Sequence, residues 1–408
     1  METLKTDYLV VGAGAMGLAF TDTMLTESDA QIVIVDRNDR PGGHWNQAYP
    51  FVTLHQPSSY YGVSSKELSL GRKDETGLNK GLNDLATLPQ LRAYFDDVMD
   101  QTFLKSGRVT YLPMHEYLGD GRAVCRMTGA EKTISAARRI VDATHLKTTV
   151  PAMHTPNFDI SGDVAFAPLN DLPEIAPDYD RYVVIGGGKT GIDAVIWLLQ
   201  RNVDPDHIQW IMSRDGWLLD RGRTQPTEEF FFDTFGGIAD QMEAIAEASS
   251  VDDLFERLEA AGVFVRIDPS VRPKMFHGAT VSRDELDELR RVKNIVRLGR
   301  VKRITATEIE LDGGSLPTGP DVLHVDCSAS AVGNMDVCPV FQDDAIRLQT
   351  VRSVQPVFSA AFIAYVEATR ETDEEKNRLC TVVPLPNHAK DWLKMQAAFM
   401  MNQYNWSR

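Results

Sequence analysis

Two short apolar runs, Tyr8-Leu9-Val10-Val11 and Ile32-Val33-Ile34-Val35, have the length and β-branched character of strands buried on both faces. Between them, Met16 to Leu25 supplies helix formers with apolar residues on one side. The same order of strand, helix and strand returns further along. Tyr182-Val183-Val184-Ile185 leads to Ile192, Val195, Ile196 and Leu199 at i, i+3, i+4 and i+7, and then to a strand from Ile208 to Met212. Two β-α-β units are therefore expected, about 170 residues apart.

Each first strand ends in a glycine loop of the form G-x-G-x-x-G: Gly12-Ala13-Gly14-Ala15-Met16-Gly17 and Gly186-Gly187-Gly188-Lys189-Thr190-Gly191. The first Gly permits a tight turn, the second lets the backbone approach a pyrophosphate, and the third lets helix and strand pack closely. The pyrophosphate then sits on the helix N-terminus. Asp36, at the tip of the second strand and 19 residues beyond Gly17, is placed to accept from a ribose 2′-OH. In the second unit that position reads Ser213-Arg214. A hydroxyl and a guanidinium can bind a 2′-phosphate that an acid would repel, which favours NADP over NAD; the alternative is that Arg214 pairs with Asp215 or another surface carboxylate. Lys189 precedes the last glycine instead of following it, so the loop is not a Walker A motif.

Elsewhere the pattern is looser. Short strands from Arg108 to Asp142 read as a small antiparallel meander. Pro151, Pro156, Pro168, Pro173 and Pro177 mark residues 151–177 as a linker. Residues 225–291 are acidic and helical in pattern and read as an insertion, either a lid, a dimer contact or a solvated excursion. Gln355 to Glu371 and His388 to Tyr404 have helical patterns.

Composition then bounds the picture. The 408 residues allow two or three domains, and no apolar run reaches the length of a membrane span. A net charge of −16 disfavours nucleic acid. With no signal-peptide pattern, a soluble, cytoplasmic protein is expected, with a homodimer left open. Cys125, Cys327, Cys338 and Cys380 show no redox-pair or metal-ligand spacing, and the histidines form no metal motif, so no metal is expected.

The two Gly-rich units, the second inserted in the first, resemble the two-dinucleotide-binding flavoprotein superfamily over most of the chain. The resemblance implies an α/β fold of two Rossmann-like domains: an FAD domain from 1–150 and 320–408, and an NAD(P) domain from 178–319 interrupted at about 225–291. Asp36, Arg37 and then Pro41-Gly42-Gly43-His44-Trp45 are similar to the segment that wraps FAD in class B flavin-dependent monooxygenases. His55-Gln56-Pro57-Ser58 falls where those enzymes place an Asn-x-Pro turn facing flavin and nicotinamide. Two features depart from the pattern. The family fingerprint before the second glycine loop has His where this chain has Phe166, and its Ala-Thr-Gly turns become Ala143-Thr144-His145 and Ser328-Ala329-Ser330. The disulfide reductases of the same plan are excluded by the lack of a cysteine pair.

The resemblance implies that FAD is held by Gly12, Gly14, Ala15, Met16, Gly17, Asp36, Arg37, Gly43, His44 and Trp45. NADPH would be held by Gly186, Gly188, Lys189, Thr190, Gly191, Ser213 and Arg214. With O₂ and a small organic substrate, the implied activity is monooxygenation through a peroxyflavin, with His55 and Gln56 as catalytic candidates. His44, His55 and Trp45 also have purely structural readings. An NAD(P)H dehydrogenase passing electrons to a quinone or another acceptor is the alternative, and a flavin-binding regulatory protein a third.

Overall fold

The computed structural model describes residues 3–329 and 337–408; Ser330 of the altered turn lies outside them. Strand β1 (Thr3–Val11) is the axis of an eight-stranded sheet. It pairs in parallel with β2 (Ile32–Val35) on one side and Glu131–Asp142 on the other, with Val10 opposite Ile34 and Val141. Helix α1 (Ala15–Glu27) makes the crossover between β1 and β2. Burial of Leu9, Val10, Leu18, Phe20 and Ile34, all fully enclosed, explains why these runs carry no polar alternation. Val109–Leu112 and Ala345–Arg347 extend the sheet in parallel at its two sides.

The antiparallel meander is smaller than its sequence suggests. It consists of His115–Gly119, Arg122–Cys125 and the first part of Glu131–Asp142. Val109–Leu112 and the end of Glu131–Asp142 belong to the parallel sheet instead, because their apolar residues are needed to cover its two faces.

The second sheet is built on β3 (Arg181–Ile185), α2 (Lys189–Gln200) and β4 (Ile208–Ile211). Its five strands are all parallel, with Ile295–Val296 beyond β4 and Val322–Asp326 between β3 and Phe166–Pro168. Part of the expected linker thus forms a sheet edge. Phe166 stands edge-on to Phe158 there, ring centres 5.9 Å apart, which gives the residue at the fingerprint His position a packing role.

The segment expected to be helical contains α3 (Phe231–Glu247) and α4 (Val251–Ala260), but also strand Met275–Val281. That strand lies parallel to Gly216–Asp220. This small unit has its own core of Trp217, Phe255, Phe264 and Phe276, completed by Trp392 and Met395. The last two lie on α6 (Asp391–Trp406), so that helix does not serve the first sheet alone. Helix α5 (Pro356–Thr369) covers α1, and the charged helix Asp373–Leu379, which no hydrophobic period announces, follows it. Among the described residues no helix is long and apolar enough to cross a membrane.

Candidate dinucleotide sites and the junction between them

Both glycine loops have the geometry their spacing demands. Gly12 has φ +104° and Gly186 φ +132°, both in the region that favours glycine. A Cβ on Gly17 would lie 2.0 Å from the Gly12 carbonyl oxygen, and one on Gly191 the same distance from that of Gly186. The third glycine of each loop is therefore required by helix-to-turn contact alone.

The first turns of α1 and α2 start at Gly14 and Gly188, and neither receives a side-chain cap or an acidic residue. Their leading N–H groups are left for an anion, which the helix dipole also favours. Nothing lies within 4 Å of where a Gly188 Cβ would be, so the backbone there is open to close approach. The residues present thus fit a dinucleotide pyrophosphate at each loop.

Asp36 is buried, and its carboxylate accepts the backbone N–H of Ala13 at 2.6 Å and of Asn38 at 2.7 Å. It ties the first loop to the tip of β2. A carboxylate has further lone pairs, so this tie leaves room for a ribose hydroxyl. Desolvation raises its pKa, opposed by those two N–H groups.

Gly42 and Gly43, with φ +119° and +58°, fold over the first loop. Gly42 N–H donates to the Ala13 carbonyl at 2.8 Å, and a Gly43 Cβ would sit 2.9 Å from Gly14 Cα. His44 leans on Trp45, ring centres 4.9 Å apart, and burial pulls its pKa down to about 4. Trp45 Nε1–H donates to Tyr61 Oη at 2.8 Å. Arg37 is exposed, while Ala15 and Met16 open α1.

The second loop holds an arrangement the motif does not announce. Lys189 pairs with Asp193 one turn along α2, and Asp193 also accepts the Tyr49 hydroxyl at 2.5 Å. A lysine at a helix N-terminus opposes the dipole, so Asp193 offsets that cost while Tyr49 fastens the first unit to the second. Burial pushes the Tyr49 pKa well up, and the Asp193 charge adds to it. Cys327 is buried at the same junction, its thiol also pushed up by desolvation.

His55 lies on the same side. Its Nδ1 accepts the Thr280 backbone N–H at 3.1 Å, and its carbonyl accepts Arg221 Nε–H at 2.9 Å. Arg221 is fully buried and paired with Glu285 at 2.8 Å. Burial, with Lys189 and Arg221 nearby, pulls the His55 pKa down to about 3. Gln56 is half-buried with no hydrogen-bond partner among the described residues.

At the tip of β4, Ser213 is exposed and Arg214 donates to Asn387 Oδ1 at 2.9 Å. Asp215 is taken by Arg297 through two contacts of 2.8 and 2.9 Å, which removes one of the alternative partners of Arg214. Desolvation and the nearby Arg300 both lower the Arg214 pKa, as expected where cations converge without an anion.

Two sheets, each with a glycine loop at the end of the first strand of a parallel β-α-β unit, define a fold of two Rossmann-like units. Residues 10–56 match the family model described as NAD(P)-binding Rossmann-like domain. The chain superposes on cyclohexanone monooxygenase with bound ε-caprolactone at a TM-score of 0.57 and 14% identity, covering 100% of this chain and 97% of the other. For the cyclohexanone monooxygenase of Rhodococcus sp. Phi1 bound to NADP+ the TM-score is 0.51 at 15% identity, with 93% and 89% covered. For a flavin monooxygenase from Stenotrophomonas maltophilia it is 0.51 at 16%, with 90% and 100% covered. These likenesses establish the fold.

In sequence, the chain is 50% identical over 408 residues to Uncharacterized protein Rv2000 of Mycobacterium tuberculosis and to Uncharacterized protein Mb2023 of Mycobacterium bovis, spanning 99% of this chain and 75% of each relative. The protein belongs to the family of these mycobacterial proteins.

Proposed function

We propose that the protein is an FAD-dependent, NADPH-using oxidoreductase, and specifically a monooxygenase of a small organic substrate. The observation that carries this reading is the junction of Tyr49, Asp193 and Lys189, which fastens the wrap of the first uncapped glycine loop to the helix of the second. The first sheet and the helices that cover it would hold FAD through Gly12, Gly14, Gly17, Asp36 and Gly43. Residues 178–319 would hold NADPH through Gly186, Gly188, Thr190, Gly191, Ser213 and Arg214.

Bound FAD would accept hydride from the nicotinamide and activate O₂. The chain's own residues do the rest. A backbone N–H can only donate, so the Thr280 bond makes Nδ1 of His55 an acceptor, and the ring proton resides on Nε2. His55 thus offers a neutral, fixed N–H donor, held by Arg221 and Thr280, for hydrogen bonding to an oxygen species or the nicotinamide amide. Pro57 fixes its own φ and biases Gln56 toward an extended conformation, which supports a defined direction for that amide.

The test is anaerobic mixing of the purified, yellow protein with NADPH, followed by O₂ and product analysis over a panel of amines, sulfides, ketones and aromatic compounds. Bleaching of the flavin and an oxygenated product are expected. Flavin-free protein, or flavin untouched by NADPH, would overturn the cofactor assignment. Fast reduction of a quinone with no oxygenated product would overturn the monooxygenase reading alone.

A further inference from the structure

The short helical turn Ser58–Tyr60 directly follows His55-Gln56-Pro57 and forms one wall of an open cleft of about 400 Å³. Ser59, Tyr60 and Val63 face Arg352, Val357 and Phe358 across it, with the exposed Glu67 at the rim. Arg352 is half-buried. Its guanidinium lies 4.8 Å from the centre of the Phe358 ring and 5.8 Å from that of Phe399, so aromatic rings occupy approaches to its faces.

Its N–H edge is a different matter. Arg352 makes its hydrogen bonds through the backbone alone, the N–H donating to Ser359 Oγ and the carbonyl accepting from Gln355 N–H; the guanidinium has neither a carboxylate nor another acceptor among the described residues. Arg139, Arg221 and Arg297, which are at least partly buried, each hold one or two carboxylates. Ser59, which lines the same cleft, has its hydroxyl buried without a hydrogen-bond partner among the described residues. A shielded cation and an orphan hydroxyl both cost free energy unless an acceptor completes them. Desolvation accordingly lowers the Arg352 pKa, partly offset by Tyr60.

We propose that this cleft binds an amphipathic organic acid, with the carboxylate on the edge of Arg352 and the Ser59 hydroxyl and the apolar body against Val63, Val357 and Phe358. A guanidinium edge matches a carboxylate in two parallel hydrogen bonds, and the cleft has the size of a small-molecule site. That this acid is the substrate rests on the oxidoreductase reading; that the cleft takes an acid does not.

The test is calorimetric titration of the purified protein with benzoate and phenylacetate, and with their neutral isosteres benzamide and phenylacetamide. The acids should bind at least about tenfold more tightly than the amides, and Arg352→Gln should weaken acid binding about 10- to 150-fold. Ser59→Ala should weaken it a few-fold with a melting temperature no lower than that of the wild type, which separates recognition from folding. Absence of acid binding, equal affinity for acids and amides, or full acid affinity in Arg352→Gln overturns the proposal. So does loss of flavin from Arg352→Gln with the acid preference intact, which would seat Arg352 on the cofactor. Flavin content and NADPH bleaching are read separately in the same preparations. A colourless wild-type protein that still prefers benzoate to benzamide would sink the oxidoreductase reading and leave the acid site standing.

Discussion

His55 and Thr280, 225 positions apart, meet through a backbone N–H that donates to the imidazole Nδ1 at 3.1 Å. Protonating that nitrogen would break the bond, which agrees with the lowered pKa of about 3. His44, pulled down to about 4 by burial, behaves alike. Between these values and the ordinary histidine pKa of about 6.5, the unfolded chain binds more protons than the folded one. Stability should therefore be fully present above about pH 6.5 and fall with acidification, by at most about 1.4 kcal/mol per pH unit for each histidine. His55→Gln keeps an acceptor for Thr280 and removes one titrating group. Denaturant melts from pH 4 to 7 should show a shallower slope in this variant, and an unchanged slope would mean that His55 is charged in the folded state.

Loss of the His55 N–H donor should also uncouple the reaction. His55→Ala and Gln56→Ala are expected to stay yellow and to be reduced by NADPH, but to release more hydrogen peroxide per NADPH consumed. Unchanged peroxide and product yields in both would reduce this turn to a structural support.

Gly14 and Gly43 touch backbone to backbone. Gly14→Val would put a branched side chain where a pyrophosphate must approach, so the protein should purify without flavin. Gly43→Ala meets both the contact at 2.9 Å and a positive φ, and should cost about 1–2 kcal/mol of stability. Flavin absorbance and thermal melts check the two effects independently.

Arg214→Ala should raise the NADPH dissociation constant about 10- to 150-fold, the worth of a charge-assisted contact of about 1.5–3 kcal/mol, with little change for NADH. Equal weakening of both nucleotides would rule out a phosphate-binding role.

Asp193→Ala leaves Lys189 part-buried without its partner and Tyr49 without its acceptor. It should cost about 2–3 kcal/mol, against about 1 for Tyr49→Phe. Because both act on one carboxylate, the double variant should lose less than the sum. Strict additivity in urea melts would show that the three side chains do not form one network.

The parts legible in the sequence are those that local backbone rules dictate. Gly12, Gly17, Gly186 and Gly191 are recognisable because each loop's sterics act over only a few residues. Asp36 is legible at the tip of its strand, whereas its bond from Ala13 N–H is not. Tyr49 with Asp193, His55 with Thr280, and Arg221 with the His55 carbonyl join residues 144 to 225 positions apart. No periodicity encodes such pairs; they exist only once the sheets are assembled. Met275–Val281 was hidden for a related reason. Gly278, at φ +72° and pressed against Val354, breaks its apolar alternation, while the acidic helices around it dominate the local pattern.

The aromatic cluster of Trp217, Phe255, Phe264 and Phe276 has a temporal consequence as well as a spatial one, because Trp392 and Met395 close it. A ribosome making this chain releases those first four rings more than a hundred residues before their cover exists. During that interval, tens of seconds down to several at about 5–20 residues per second, the small sheet must persist with an open apolar side. Such long sequence separation slows closure and leaves the nascent chain exposed to misassociation. The same packing that completes the unit therefore makes its final assembly a late event, and binds it to the loop preceding α5 through Asn402, whose amide bonds to the Val351 carbonyl at 2.8 Å.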